Sequence, residues 1–284
     1  MTERAARLNE LRAVIQGQLE LLRLILFVIS EGPTLYKGQS FACVLEKDKA
    51  RATAAVSMGA GQSLNTILNN STESGLAVRD LYPIARAVVE GFINASFFTT
   101  QPVEVSQRAL NHRFYAAWKH DNRVVGSGDF IFTLGGDPDP KATIAKNFPE
   151  FSGKGGDSWS NLDTPSKIDR IGKFVRASGG ALLGAYAGIY AISSEIIHGS
   201  VYGMSYFMSA HGSKEATTEA FLAGTEEQMI DILSATGHAA SGFIAAFATI
   251  HKFGPLVLDE HELFKRLFKA ATGDDWVGGD QLQH

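Results

Sequence analysis

The chain of 284 residues has one cysteine, Cys43. A single thiol excludes an intramolecular disulfide and a cysteine zinc cluster, and it suits a reducing, cytoplasmic setting. Its neighbours Phe41, Ala42, Val44 and Leu45 mark it as packing rather than nucleophile. Excess positive charge is missing too. The net charge is -4 and the pI about 6.1, so no broad nucleic-acid surface is advertised, although a local basic pocket is compatible with both. No GxxxxGK[ST] loop, GxSxG elbow or HExxH pair occurs. Walker-type NTPase, α/β-hydrolase and zincin chemistry fall away with them, and no cofactor or metal is expected. There is no repeat of fixed period.

A signal peptide is also lacking. The N-terminal run LELLRLILFVIS is broken by Glu20 and Arg23 and ends without a small-residue cleavage pattern. Residues 177–194 and 232–250 avoid charge for about a membrane-spanning length. Both are rich in Ala, Gly and Ser, which favour close helix packing over insertion. They are expected to be buried helices of a cytoplasmic protein that makes no membrane contact.

What is present is helical periodicity. Leu8, Ile15, Leu22 and Ile29 recur every seven residues, which predicts an amphipathic helix over 4–30 that ends at Gly32-Pro33. Further helices are expected at 40–70, at 76–99 and from Pro102 to about 120. Residues 121–163 are dense in Gly, Asp and Pro and predict an irregular excursion. Within it, Asp139-Pro140 starts one short helix, and FIFTL reads as a possible strand. Thr164 is expected to cap a helix with Pro165 at its first position, followed by one over 180–199. YGMSYFMSAHGS reads as a loop or ragged continuation. TEEQ at 225–228 reads as a capping box that opens a helix to about 251. Gly254-Pro255 would stop that helix, and a last one would span 260–271. The fold class is all-α. It is one multi-helix bundle of seven to eight helices over 1–284, with segments at 1–38, 40–120, 121–163 and 164–273 and a frayed tail at 274–284.

Two mainly apolar helices each carry a single polar ridge. In LYPIARAVVEGFINASFF, Arg86, Glu90 and Asn94 lie four apart, and in YAISSEIIHGS so do Tyr190, Ser194 and His198. Buried polar rows are best satisfied by facing each other. Two readings of the pair stay open. In one, the ridges only lock helix register. In the other they form a site, with Arg86, Glu90 and His198 catalytic and Tyr190, Ser194 and Asn94 binding. His198 would exchange protons and Arg86 would hold an oxyanion. A second cluster, RALNHRFYAAWKH, places Arg108, His112 and Tyr115 on one face. It resembles the Arg-polar-His pattern of the HEPN superfamily, many of whose members cut RNA without metal. The Arg-to-His spacing is shorter here, and a solvated basic face is the plain alternative. His238 and His251 flank an apolar helix, and His211 and His261 lie near ends.

The Arg86–Glu90 helix, together with WSNLDTPSKIDRIGK and the Tyr190, Ser194 and His198-Gly-Ser stretch, resembles the bacterial "domain of unknown function 5677" family over residues 40–200. That resemblance implies a helical architecture and, through some relatives, a phage-defence or toxin setting. Excursion 121–163 is longer than the family pattern and is expected to serve as a lid or partner-binding loop. The resulting expectation is a metal-independent ribonuclease or other phosphate-handling enzyme acting on RNA or a nucleotide. The alternative is a non-catalytic helical module that binds a protein partner or forms a homo-oligomer.

Overall fold

The computed structural model describes residues 2–153, 155–209 and 217–278. Helix α1 (Glu3–Ser30) is capped by Thr2, whose hydroxyl accepts the Ala5 N–H at 3.2 Å. Leu8, Ile15 and Leu22 of its heptad are buried. After Gly32, strands β1 (Thr34–Tyr36) and β2 (Gln39–Phe41) form a small antiparallel hairpin. Lys37 and Gly38 both turn it with positive φ, 48° and 76°. Helix α2 (Lys47–Asn70) therefore starts later than residue 40. The displaced Phe41 ring stacks on Phe253 at 4.1 Å, a gain that only the fold supplies.

Helices α3 (Ala77–Thr100) and α4 (Val103–Asp121) follow. The excursion holds a second antiparallel hairpin, β3 (Arg123–Ser127) with β4 (Phe130–Leu134), and then α5 (Pro140–Asn147). Asp139 caps α5 by accepting the Ala142 N–H at 3.1 Å. Helix α6 (Thr164–Phe174) is capped by Asp163 rather than Thr164, since the Asp163 carboxylate accepts the Ser166 N–H at 2.9 Å. The remaining helices are α7 (Arg176–Ile197), α8 (Val201–Ser209), α9 (Thr218–Ile250) and α10 (Gly254–Thr272). The described residues thus hold ten α-helices rather than seven or eight.

Three local signals are used differently from their sequence reading. The stretch read as a loop or ragged continuation at 202–213 is a separate helix, α8, through Ser209. TEEQ lies inside α9, whose cap is Thr217, accepting the Ala220 N–H at 3.1 Å. Thr225 is buried instead, donating to the Leu222 carbonyl and accepting the Gly75 N–H at 2.9 Å, which ties the α2–α3 corner to α9. Gly254-Pro255 opens α10, because proline at the first turn needs no N–H partner. His211 and the tail beyond 278 lie outside the described residues.

Helices α3 and α9 form the centre. They pack on each other, with Phe92 stacked on Phe243 at 5.6 Å, while α2 and α7 flank α3 and α1 and α10 flank α9. Close approach relies on small residues. A Cβ on Gly179 of α7 would sit 2.6 Å from the Gly172 Cα of α6, so only glycine permits that elbow.

The expectation of a cytoplasmic chain without membrane contact does not stand. Three helices, Glu3–Ser30, Arg176–Ile197 and Thr218–Ile250, are long and apolar enough to cross a membrane, with window hydropathies of 1.6, 1.3 and 1.2. Alanine- and glycine-rich composition argues against insertion. Summed over a full window, the near absence of charge outweighs it. In α1, Glu20 and Arg23 are too few to lower the sum.

Candidate functional site

The polar ridge of α3 meets α6 and α7 on one side of the central helix. Arg86 donates from Nε to Glu90 Oε1 at 2.9 Å, an (i, i+4) pair within α3. Its guanidinium lies 4.3 Å from the ring centroid of Tyr190 on α7. Tyr186, one turn before, packs ring to ring with Tyr190 at 4.5 Å. One turn further along α3, Asn94 Oδ1 accepts from Lys167 Nζ of α6 at 3.0 Å. The same ammonium sits 4.1 Å from the Trp159 ring, which the excursion brings over it.

Lys167 is 9% exposed. Desolvation pulls its pKa down to about 8, with Glu90 pulling weakly the other way. Sequence reading missed both Lys167 and Trp159. For Lys167 a signal existed: it stands four residues before Ile171, in the buried seam with Ile168. A lysine in an apolar seam is a burial conflict. No comparable signal marked Trp159, because loop placement is a tertiary result.

The ridge on α7 contributes only Tyr190 to this cluster. His198 is the exposed C-cap of α7, eight residues beyond Tyr190 and therefore about 12 Å further along the axis. Among the described residues no hydrogen bond, ion pair or ring contact joins it to Arg86 or Glu90. Ser194 is half-buried, and its carbonyl accepts the His198 N–H at 3.0 Å. The fully buried hydroxyl is that of Ser193, which donates to the Tyr190 carbonyl at 3.0 Å. The structure thus brings together Arg86, Glu90, Asn94 and Tyr190, adds Lys167, and leaves His198 and Ser194 apart.

The α4 face is occupied otherwise. Arg108 donates to the carbonyls of Glu150 at 3.0 Å and Ser158 at 3.3 Å, and its guanidinium lies 4.7 Å from the Phe151 ring. His112 Nε2 lies 3.2 Å from the Asp157 carbonyl. Tyr115, buried and stacked on Phe151 at 5.1 Å, donates to Asp157 Oδ1 at 2.9 Å, as does Lys119 at 2.8 Å. Those two hydrogen bonds hold the Asp157 carboxyl below the usual carboxylate range. The Arg-polar-His pattern here fastens residues 148–158 of the excursion to α4.

Among the described residues no group of three His, Cys, Asp or Glu side chains converges to hold a metal ion. No protein-family model, no curated protein and no solved structure matches the chain.

Proposed function

We propose that the α3–α6–α7 cluster binds a phosphate-bearing anion, RNA or a nucleotide, and that the protein is a phosphate-handling enzyme. One observation carries this reading: Lys167 is a desolvated cation with an amide oxygen and an indole for neighbours and, among the described residues, no carboxylate within ion-pair distance. The nearest acid, Glu90, is already engaged by Arg86. Two cations stand near one carboxylate that only Arg86 contacts, and a partly buried charge imbalance of that sign is compensated by an incoming anion. Tyr186 and Tyr190 offer ring faces beside it, suited to a base.

In a metal-independent ribonuclease of this kind, Arg86 stabilises charge developing on phosphorus. The proton-transfer role falls to Lys167, whose pKa near 8 leaves a neutral fraction at mildly alkaline pH. The test is calorimetric titration of inorganic phosphate and a nucleoside monophosphate into wild type and Lys167→Met, with RNA product analysis in chelator. Wild type is expected to bind both ligands. Lys167→Met should lose at least about tenfold in affinity, roughly 1.4 kcal/mol, while melting no lower than wild type. Absence of binding by wild type would overturn the reading.

A second reading, the protein-interaction or oligomerisation module, is favoured by exposed apolar surface. Phe130 is 87% exposed on the β3–β4 hairpin, with Ile131 and Phe132 beside it. Under that reading the polar cluster only locks the fold. A Phe130→Ser/Phe132→Ser variant would then lose self-association in sedimentation while Lys167→Met would not.

A further inference from the structure

A groove of about 550 Å³ lies where the end of α1, the start of α2 and the middle of α4 come together. Its size falls within the ordinary range of small-ligand sites. The floor is apolar, with Ile29, Leu45 and Leu110 and the alanine face of α2. Three cations also line it: Lys47, Arg51 and Arg113. No aspartate or glutamate is among the lining residues. Arg51 pairs with the Asp48 carboxylate at 3.7 Å. Lys47 and Arg113 form no ion pair among the described residues, and Arg113 leans on the Phe114 ring at 4.4 Å.

We propose that this groove binds a single-chain amphiphile with an anionic head, a long-chain carboxylate, its head held by Lys47, Arg51 and Arg113 and its chain laid on the apolar floor. Charge and apolar surface have to be matched by one molecule. Water solvates the cations and leaves the floor exposed; a neutral hydrocarbon covers the floor and leaves Lys47 and Arg113 without a counter-charge among the described residues. A carboxylate on an alkyl chain satisfies both, because guanidinium groups pair with carboxylate in a forked geometry and apolar area is removed from water. A nucleotide fits less well, since the lining holds no aromatic ring on which a base can stack. The groove shares no residue with the α3–α6–α7 cluster, so the two proposals fail independently.

Cys43 lines the groove and is the chain's sole thiol, which gives the test a native reporter. The full-length protein is alkylated with a maleimide, and the Cys43 rate is followed with laurate below its micelle concentration, with dodecyl maltoside, with inorganic phosphate, and with vesicles of acidic phospholipid. At about ten times its Kd, laurate should slow labelling about tenfold, because only the unoccupied fraction reacts. Dodecyl maltoside and phosphate should leave the rate near its starting value. Arg51→Glu/Arg113→Glu should abolish protection by laurate while melting like wild type; the exposed Lys47→Glu serves if the double variant fails to fold. Equal protection by dodecyl maltoside, protection by phosphate alone, protection only by vesicles, or laurate protection that survives charge reversal would each overturn the proposal. So would no protection at all.

Discussion

Arg86 on α3 and Arg108 on α4 each lay a guanidinium over an aromatic ring, Tyr190 at 4.3 Å and Phe151 at 4.7 Å. Their surroundings differ. The Arg108 face is spent on the excursion: two carbonyls take the guanidinium, and the Asp157 carboxylate takes both Tyr115 and Lys119. Near Arg86 the pairing is incomplete, because among the described residues Lys167 finds only an amide oxygen and an indole. Closed networks of the first kind hold structure in place, while an unbalanced, desolvated charge of the second kind asks for a ligand. Residue types alone do not separate the two, since both clusters combine arginine, aromatic and amide or imidazole groups.

The largest test of this contrast is truncation of the two aromatic partners. Tyr115→Ala removes a fully buried ring and should cost about 3–5 kcal/mol in denaturant unfolding, with amide exchange rising sharply across 148–158. Tyr190→Ala removes a half-buried ring and should cost about 1 kcal/mol. Equal costs would erase the distinction.

Next in size, Lys167→Met should raise stability at pH 7 by about 1–2 kcal/mol, since it deletes a desolvated charge from an apolar seam. The pH dependence sharpens the point. Folded Lys167 releases its proton near pH 8, whereas the unfolded chain holds it to about 10.5. Between those values the unfolded state binds more protons, so wild-type stability rises with pH across that window and is flat in this respect below it. Thermal melts of wild type against Lys167→Met should show the rise only in wild type. A parallel rise in both would assign it to another group.

A smaller effect is expected of Glu90→Gln, about 1 kcal/mol of destabilisation after discounting for the partial exposure of the pair. It should also lower the Lys167 pKa further, because Glu90 is the group that raises it. A Lys167 pKa unchanged in the variant by NMR titration would show the two groups uncoupled. Smallest is His112→Ala, which removes a partly exposed contact to a carbonyl and edge contacts with the Tyr115 and Phe151 rings. Its cost should stay below about 1 kcal/mol, and an RNA-cleavage activity lost with it would return the α4 face to the list of candidate sites.

Much of this was legible along the chain. The heptad of α1 announced its buried seam, and Asp139-Pro140 announced α5, because capping and amphipathicity are written within one or two turns. The pairing of Arg86 with Glu90 followed from a four-residue spacing on one helix. The reading failed wherever a local signal competed with a distant partner. TEEQ has the pattern of a helix start, yet Thr225 is worth more holding the Gly75 N–H from within α9. His198 completes a neat four-residue row, but it stands at the C-cap of α7, exposed to solvent. Ala- and Gly-rich composition pointed away from the membrane, although charge-poor length placed three helices in the spanning range.

The sequence by itself determined that the chain is mostly helical, which faces of α1 and α3 are apolar, and that one polar ridge interrupts α3. Periodicity carries that information because side-chain direction repeats with the backbone. Tertiary structure alone decided what stands opposite each ridge. It set Tyr190 over Arg86, placed Lys167 beside Asn94 and Trp159 above it, and turned the α4 cluster into a fastening for its own loop. Those contacts join residues far apart in the chain, and whether a buried charge is paired depends on its neighbours in space, which no local pattern encodes.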